Sequence, residues 1–277
     1  MTISGATKVL AVIGDPVAHS LSPAMHNGWI ADHGLDAVYV ALPLKAGDAE
    51  PALKALKALG LHGLNITAPH KEAAARAADR SECAAANVWR WEDDGAVSAF
   101  NTDGAGFLDS LDESAPGWRA RRSRVLMLGA GGAALAAGEA LSPFVDTIHF
   151  ANRTAERGEA AAAAVPNGRS LRWEDLERGF GAADLVVQAT TLGMAGSGES
   201  FEWPLGHLRA GAIVADMVYR PLETGLLRAA RERGLATVDG LGMLIHQGVR
   251  SFELWFGIKP NAGAARARLL AVLGETA

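Results

Sequence analysis

Short β-branched and aliphatic runs alternate with stretches of helical periodicity from one end of the chain to the other. Residues 9–14, Val-Leu-Ala-Val-Ile-Gly, read as a strand, and 22–33 as a helix. Residues 37–42 read as a second strand, Leu53, Leu56 and Leu59 as the spine of a second helix, and 63–67 as a third strand. After Ala68-Pro69 a helix is expected from His70 into the alanines at 73–78. Such alternation argues for βαβ units and a parallel sheet. Residues 87–100 break the rhythm: two short strands turn at Asp93-Asp94-Gly95 as a hairpin. Thr102 then opens a helix, and 115–123 reads as an exposed connection. A second α/β series starts at 124–129, with later strands at 147–152, 185–190 and 212–219. The C-terminus is helical from about Leu241, with a break at Lys259-Pro260. The alanine tracts at 73–78 and 160–164 suit ordinary helices, and no tandem repeat is visible.

Composition narrows the class. With 277 residues, 49% hydrophobic and 21% charged, the chain has room for one large domain or two ordinary ones. A net charge of −5 with no basic footprint argues against a nucleic-acid partner. The single cysteine, Cys83, can form no internal disulfide and no Cys-rich metal site, so no metal is expected. The N-terminal stretch lacks a signal-peptide pattern, and the apolar run 125–138 is too short and Gly-rich to span a bilayer. The expectation is a cytoplasmic, soluble protein with no membrane partner.

Two places carry candidate chemistry. Gly129 and Gly131 follow a strand and precede a helix, with Ala134 third in the spacing, and Ala130, Gly132 and Ala133 complete the turn. The first Gly permits the tight turn, the second lets a pyrophosphate approach the backbone, and the small third residue lets helix and strand pack. The helix N-terminus offers its free N–H groups to phosphate. About twenty residues on, where Asp or Glu would mark NAD, the chain has Asn152, Arg153 and Thr154. Arg153, with Arg157 one turn further, suits a 2′-phosphate and favours NADP. The bland alternatives are a structural turn and a solvent-facing arginine.

The second place is Asn-Ile-Thr-Ala-Pro-His-Lys, residues 65–71. Asn65 and Thr67 alternate onto one strand face, at the carboxyl end where open α/β sheets bind ligands, and Lys71 stands at the start of the next helix. Ser20 and Ser22 lie two apart in a loop entering a helix; Ser22-Pro23 also reads as an N-cap followed by Pro at N1. His19 and His26 beside them read as packing histidines.

The whole chain resembles the shikimate dehydrogenase family. The resemblance rests, in order, on residues 14–27, 65–71, 100–107, 129–134, 152–154, 189–194 and 239–257. It implies a substrate domain of mixed α/β type, expected at 1–106 with 244–277, and a Rossmann-like NADP-binding domain at 107–243. It implies NADPH-dependent conversion of 3-dehydroshikimate to shikimate in the aromatic amino acid pathway, by a monomer or homodimer. Lys71 and Asp103 would be the catalytic pair; which of them transfers the proton stays open. Ser20, Ser22, Asn65 and Thr67 would bind substrate with Asn87, Thr102, Tyr219 and Gln247. Ala189, Thr190, Met217, Gly240 and Met243 would join the cofactor site. Ala68 and Val88 depart from the family's usual residues. Two alternatives remain: a quinate or quinate/shikimate dehydrogenase, and a nucleotide-binding regulator without catalysis. The presence of Lys71 and Asp103 argues against the second.

Overall fold

The computed structural model describes residues 3–120, 123–196 and 201–274. Its contacts divide the chain into two units. One comprises the residues up to Thr102 together with those from Gln247 onward; the other runs from Asp103 to His246. Among the described residues, no helix is long and apolar enough to cross a membrane.

The first unit is built on six strands: β1 (Lys8–Gly14), β2 (Ala37–Pro43), β3 (Gly63–Ile66), β4 (Arg80–Ser81), β5 (Val88–Trp91) and β6 (Val97–Phe100). They lie in the order β2-β1-β3-β5-β6-β4. Strands β1, β2 and β3 are parallel, and the β5–β6 hairpin adds antiparallel to β3. Strand β1 is covered on both faces, which is why it reads as an unbroken apolar run: Ala11 and Ile13 face one side, Leu10 and Val12 the other, and all are buried. Helices α1 (Ser22–Asp32), α2 (Ala49–Lys57) and α3 (Lys71–Ala77) follow β1, β2 and β3.

Helix α1 turns Met25, Trp29 and Ile30 inward, and the Trp29 indole N–H donates to the carbonyl of Asn261 at 2.9 Å. That bond ties α1 to the start of α10 (Ala262–Leu273). His26 is buried in the same layer. Its ring stacks on Tyr39 at 4.3 Å and 9°, with Trp29, Phe252 and Trp255 around it. Burial lowers its pKa to about 3, so it sits there as a neutral aromatic ring.

The second unit holds β7 (Arg124–Leu128), β8 (Thr147–Ala151), β9 (Gly168–Leu171), β10 (Leu185–Gln188), β11 (Ile213–Asp216) and β12 (Ala236–Val238). All pair in parallel, in the order β12-β11-β10-β7-β8-β9. This is the doubly wound dinucleotide-binding order, which reverses direction between β7 and β10. Helices α4 (Asp103–Ser114), α5 (Gly132–Leu141), α6 (Ala155–Ala164), α7 (Leu176–Ala182) and α8 (Gly225–Glu232) belong to it; α9 (Gly240–Phe256) begins in it and ends in the first unit.

Three strands were not anticipated. Strands β4 and β12 have two and three residues, and β9 is only four residues long, Gly-Arg-Ser-Leu. They exist because a neighbouring strand offers a ladder, not because of their own pattern. The stretch 115–123 is not the exposed connection expected. Ala115 and Trp118 are buried in the core of the second unit, and the Trp118 indole N–H donates to Asp112 at 2.8 Å. Residues 121 and 122 of that stretch lie outside the described residues.

Gly63 opens β3 against the indole face of Trp255, where a Cβ would collide with the ring. The ring cannot swing aside cheaply, because its N–H donates to the carbonyl of Trp89 at 2.9 Å. Gly63→Ala should therefore destabilise the fold by about 1–3 kcal/mol, the usual range for overpacking. A lower urea midpoint with unchanged m-value would show it; an unchanged midpoint would mean that β3 and α9 can separate freely.

Candidate active site

A buried polar network runs through the first unit. The Tyr39 hydroxyl donates to Asn65 Oδ1 at 2.7 Å. Asn65 Nδ2 donates to the Asn87 carbonyl at 3.1 Å and to Ser251 Oγ at 3.0 Å. Asn87 Nδ2 in turn donates to Thr102 Oγ1 at 2.9 Å and to Gln247 Oε1 at 3.4 Å, while its Oδ1 accepts the Thr102 N–H at 2.8 Å. The Thr102 hydroxyl also reaches the Gln247 carbonyl at 3.1 Å. The structure thus brings together Asn65, Asn87, Thr102 and Gln247 from four separated stretches. Buried donors and acceptors need partners, and here they supply one another.

The serines differ from expectation. Leu21, not Ser22, is the N-cap of α1, and no side chain caps it. Ser22 is the first helical residue and is buried. Ser20 accepts the Ser22 N–H at 3.3 Å, so it has a local structural role after all. Strand β3 ends at Ile66, so Thr67 lies just past it, half-buried, with its methyl against Gly14. Tyr39 and Ser251 were missed. The available signal was a tyrosine inside a buried strand, whose hydroxyl must find a partner.

Lys71 is the first residue of α3 and is half-buried. Pro69 before it follows a cis peptide bond, and the Lys71 carbonyl accepts from the N–H of Ala86 at 2.9 Å. Asp103 is the first residue of α4, is 6% exposed, and falls in the second unit directly after Thr102. Tyr219 belongs to the second unit as well. It lies in the loop after β11 rather than on the strand, because β11 ends at Asp216, and burial pushes its phenol up.

At the switch point of the second sheet, Gly129 has φ +111°, a conformation glycine adopts without strain. A Cβ there would lie 3.0 Å from Thr190 and 3.1 Å from the Ala189 carbonyl, so those two residues flank the turn. Gly131 caps α5 and Gly132 begins it; both face open space, and the first turn of α5 has no acidic residue and no side-chain cap. Ala130 and Ala133 are half-buried beside them, and Ala134 is fully buried against the sheet.

The turn after β8 exposes Arg153, Thr154 and Arg157, with Asn152 Nδ2 donating to the Thr154 carbonyl at 2.9 Å. The Arg153 guanidinium lies over the Trp173 ring at 5.8 Å. Free helix N–H groups, an open glycine turn and two nearby arginines fit a phosphorylated dinucleotide. Met217 and Met243 both pack against the core of this unit, and the Gly240 backbone lies against the Met217 carbonyl too closely for any Cβ.

Comparison with known proteins agrees with this geometry. Residues 12–89 match the shikimate dehydrogenase substrate binding domain, and 240–270 the shikimate 5′-dehydrogenase C-terminal domain. A shikimate dehydrogenase (NADP+) of Rhodospirillum rubrum is 44% identical over 99% of both chains. The chain belongs to the shikimate dehydrogenase family. Among solved structures, a shikimate dehydrogenase in complex with NADP+ superposes with a TM-score of 0.89 at 34% identity, covering 98% of each chain. A quinate dehydrogenase from Corynebacterium glutamicum in complex with NAD gives 0.87 at 32% identity, covering 96% of this chain and 99% of that one.

Two buried residues of this shikimate dehydrogenase family member were not singled out from the sequence. The Gln188 side chain, at the end of β10, accepts the Thr190 N–H at 2.6 Å and donates to the Leu192 carbonyl at 2.9 Å, shaping the turn that holds Ala189 and Thr190. Asp216, at the end of β11, accepts from the Val218 N–H at 3.0 Å and the Thr224 hydroxyl at 2.7 Å, shaping the loop that carries Met217 and Tyr219. Both could have been suspected as polar residues closing apolar strands.

Burial raises the Asp216 pKa from 3.8 to about 6, against the pull of its hydrogen bonds. The folded state therefore holds this proton more tightly than the unfolded chain. The residue's contribution to stability is complete below about pH 3.8 and is lost as pH rises through about 6. Relative to the parent, Asp216→Asn should become more stable between about pH 4 and pH 7, by up to about 3 kcal/mol. Urea midpoints at the two pH values measure it; curves that run parallel would show that Asp216 does not titrate in this range.

Proposed function

We infer that this protein catalyses the reversible NADP-dependent reduction of 3-dehydroshikimate to shikimate, a step of aromatic amino acid biosynthesis. The observation that carries the inference is the pairing, within one chain of this family, of two features. One is an open phosphate turn at 129–133 followed by Arg153; the other is a buried polar network built from Asn65, Asn87, Thr102 and Gln247.

The substrate is a small ring carboxylate with several oxygens, and each unpaired polar group in a closed site costs about 1–3 kcal/mol. Ser20 and Ser22 suit its carboxylate. Asn65, Thr67, Asn87, Thr102, Tyr219 and Gln247 supply amide and hydroxyl partners for the ring oxygens. The bound nicotinamide supplies the hydride. Lys71 donates the proton that the nascent alkoxide requires, and Asp103 orients Lys71 and holds a ring hydroxyl. On the cofactor side, Gly129–Ala133 and the α5 N-terminus receive the pyrophosphate. Asn152, Arg153, Thr154 and Arg157 hold the adenosine 2′-phosphate, and Ala189, Thr190, Met217, Gly240 and Met243 line the nicotinamide.

The test is a panel of shikimate and quinate, each with NADP+ and NAD+, on the unmodified protein and on Arg153→Ala. Shikimate with NADP+ should show the highest kcat/KM. Quinate carries an added hydroxyl on its carboxylate-bearing carbon, which crowds a polar site. Arg153→Ala should raise KM for NADP+ far more than for NAD+. Comparable efficiency on both substrates would favour the quinate reading, and equal losses with both cofactors would remove Arg153 from 2′-phosphate recognition.

Lys71→Met should lower kcat by about two to four powers of ten, the span of a positioned acid or base. KM for NADPH should stay nearly constant. Asp103→Asn should lower kcat and raise KM for shikimate, and the double variant should be little worse than the worse single one, since the two act as a unit. Steady-state kinetics decide this: near-normal kcat in Lys71→Met would leave residues 65–71 as a binding turn only.

A further inference from the structure

Strands β8 and β9 pair in parallel, each residue facing the one twenty positions on, from Ile148 opposite Gly168 to Ala151 opposite Leu171. Both strands end at that last pair. Two residues beyond each end stand Arg153 and Trp173. The register therefore brings them out side by side, and the Arg153 guanidinium lies over the Trp173 ring, 5.8 Å from its centroid. Trp173 opens a single 3-10 turn, Trp173–Asp175, set between buried Leu171 and Leu176. Its ring packs against the core of the second unit and meets Phe201 in a T-shaped contact at 5.6 Å and 62°. Phe201 meets Trp203 at 4.6 Å, and Trp203 lies beside Phe180, which is fully buried. Trp173 is thus the half-buried end of a row of rings rooted in the core, whereas Arg153 is exposed.

A guanidinium has two kinds of surface. Its flat face suits an aromatic ring, and its rim carries the N–H donors that grip phosphate oxygens in pairs. A ring under the face leaves the rim free. An exposed arginine with no such support samples many rotamers, and ordering it on binding weakens affinity. We propose that Trp173 is a positioning residue that sets cofactor specificity: it holds the Arg153 guanidinium by its face and so presents the N–H rim to the 2′-phosphate of NADP. Trp173 acts through Arg153 alone. NAD has a hydroxyl where NADP has that phosphate, so the support matters for one cofactor and not for the other. The turn before α6 is steadied on the other side, where Asn152 Nδ2 donates to the Thr154 carbonyl at 2.9 Å. The backbone of residue 153 and the end of its side chain are then held separately, one by the turn and one by the ring.

The proposal rests on the assignment of Arg153 to the 2′-phosphate, and the experiment separates the two. Trp173→Leu keeps an apolar side chain against the core and removes the aromatic face. Calorimetry should show NADP+ binding about threefold to tenfold weaker, the span of a partly exposed cation–π contact with its ordering effect. KM for NADP+ should rise by the same factor, while KM for NAD+, KM for shikimate and kcat at saturating NADP+ stay as they were. Trp173→Phe, which restores a smaller face and keeps the row of rings, should recover most of the loss. It also carries the comparison of NADP+ with NAD+ if Trp173→Leu does not fold. Adding Trp173→Leu to Arg153→Ala should weaken NADP+ binding no further than Arg153→Ala alone, because the group being held is already gone. Unchanged NADP+ binding in Trp173→Leu overturns the role of Trp173. So do equal losses with NADP+ and NAD+, which mean a general loss of structure, and multiplied losses in the double variant, which mean that the ring acts on the cofactor without Arg153. If Arg153→Ala itself leaves NADP+ binding unchanged, the assignment of Arg153 fails, and the role of Trp173 fails with it.

Discussion

The carboxamide of Asn87 is the constraint on which the first unit's buried polar network depends. Residue 87 joins the ladder through its backbone, donating to the Phe100 carbonyl at 3.0 Å and accepting from Ile66 at 2.8 Å. Its side chain meanwhile grips Thr102 and Gln247. Three stretches far apart in the chain are thereby held by one 3%-exposed residue. An amide buried this deeply is costly unless each of its donors and acceptors is met, and the same requirement that makes it costly makes its geometry unique. Thr102 is positioned by that amide, and Asp103 is positioned in turn because it is covalently next.

The second unit solves the same problem at its own strand ends. Gln188 and Asp216 each close an apolar strand and turn a polar side chain back onto the loop that follows. Loops that must stay open to a ligand cannot be held by a hydrophobic core, so they are held by buried hydrogen bonds from the strand below them. Arg153 works differently: it is exposed, and its planar group rests over the Trp173 ring. Its packing partner, twenty residues downstream, carries no mark in the local pattern.

The element pattern was legible wherever a strand is buried on both faces or a helix has a full apolar side. Strands β1, β2, β3, β7, β8, β10 and β11 all appear at their expected positions, shortened by a residue or more at several carboxyl ends. The two-residue β4, the polar β9 and the three-residue β12 were not legible, since each depends on a partner strand rather than on its own residues. Ser22 read as a helix cap and is not one; the chain enters α1 through Leu21, and Ser22 is the first helical residue. Trp118 read as part of an exposed connection, but a large apolar ring near an α/β core is drawn into it.

The sequence alone determined the α/β class and the glycine turn with its preference for a phosphorylated cofactor, and it placed Asn65 on its strand. These are local properties, set by periodicity, by the freedom of Gly129 and by the charge of Arg153. Only the tertiary structure decided which polar side chains meet. The bonds from Tyr39 to Asn65 and from Asn87 to Gln247 join residues 26 and 160 positions apart. No pattern within either segment records the other. Their union follows from sheet order and from the return of α9 to the first unit, where buried polar groups must find partners.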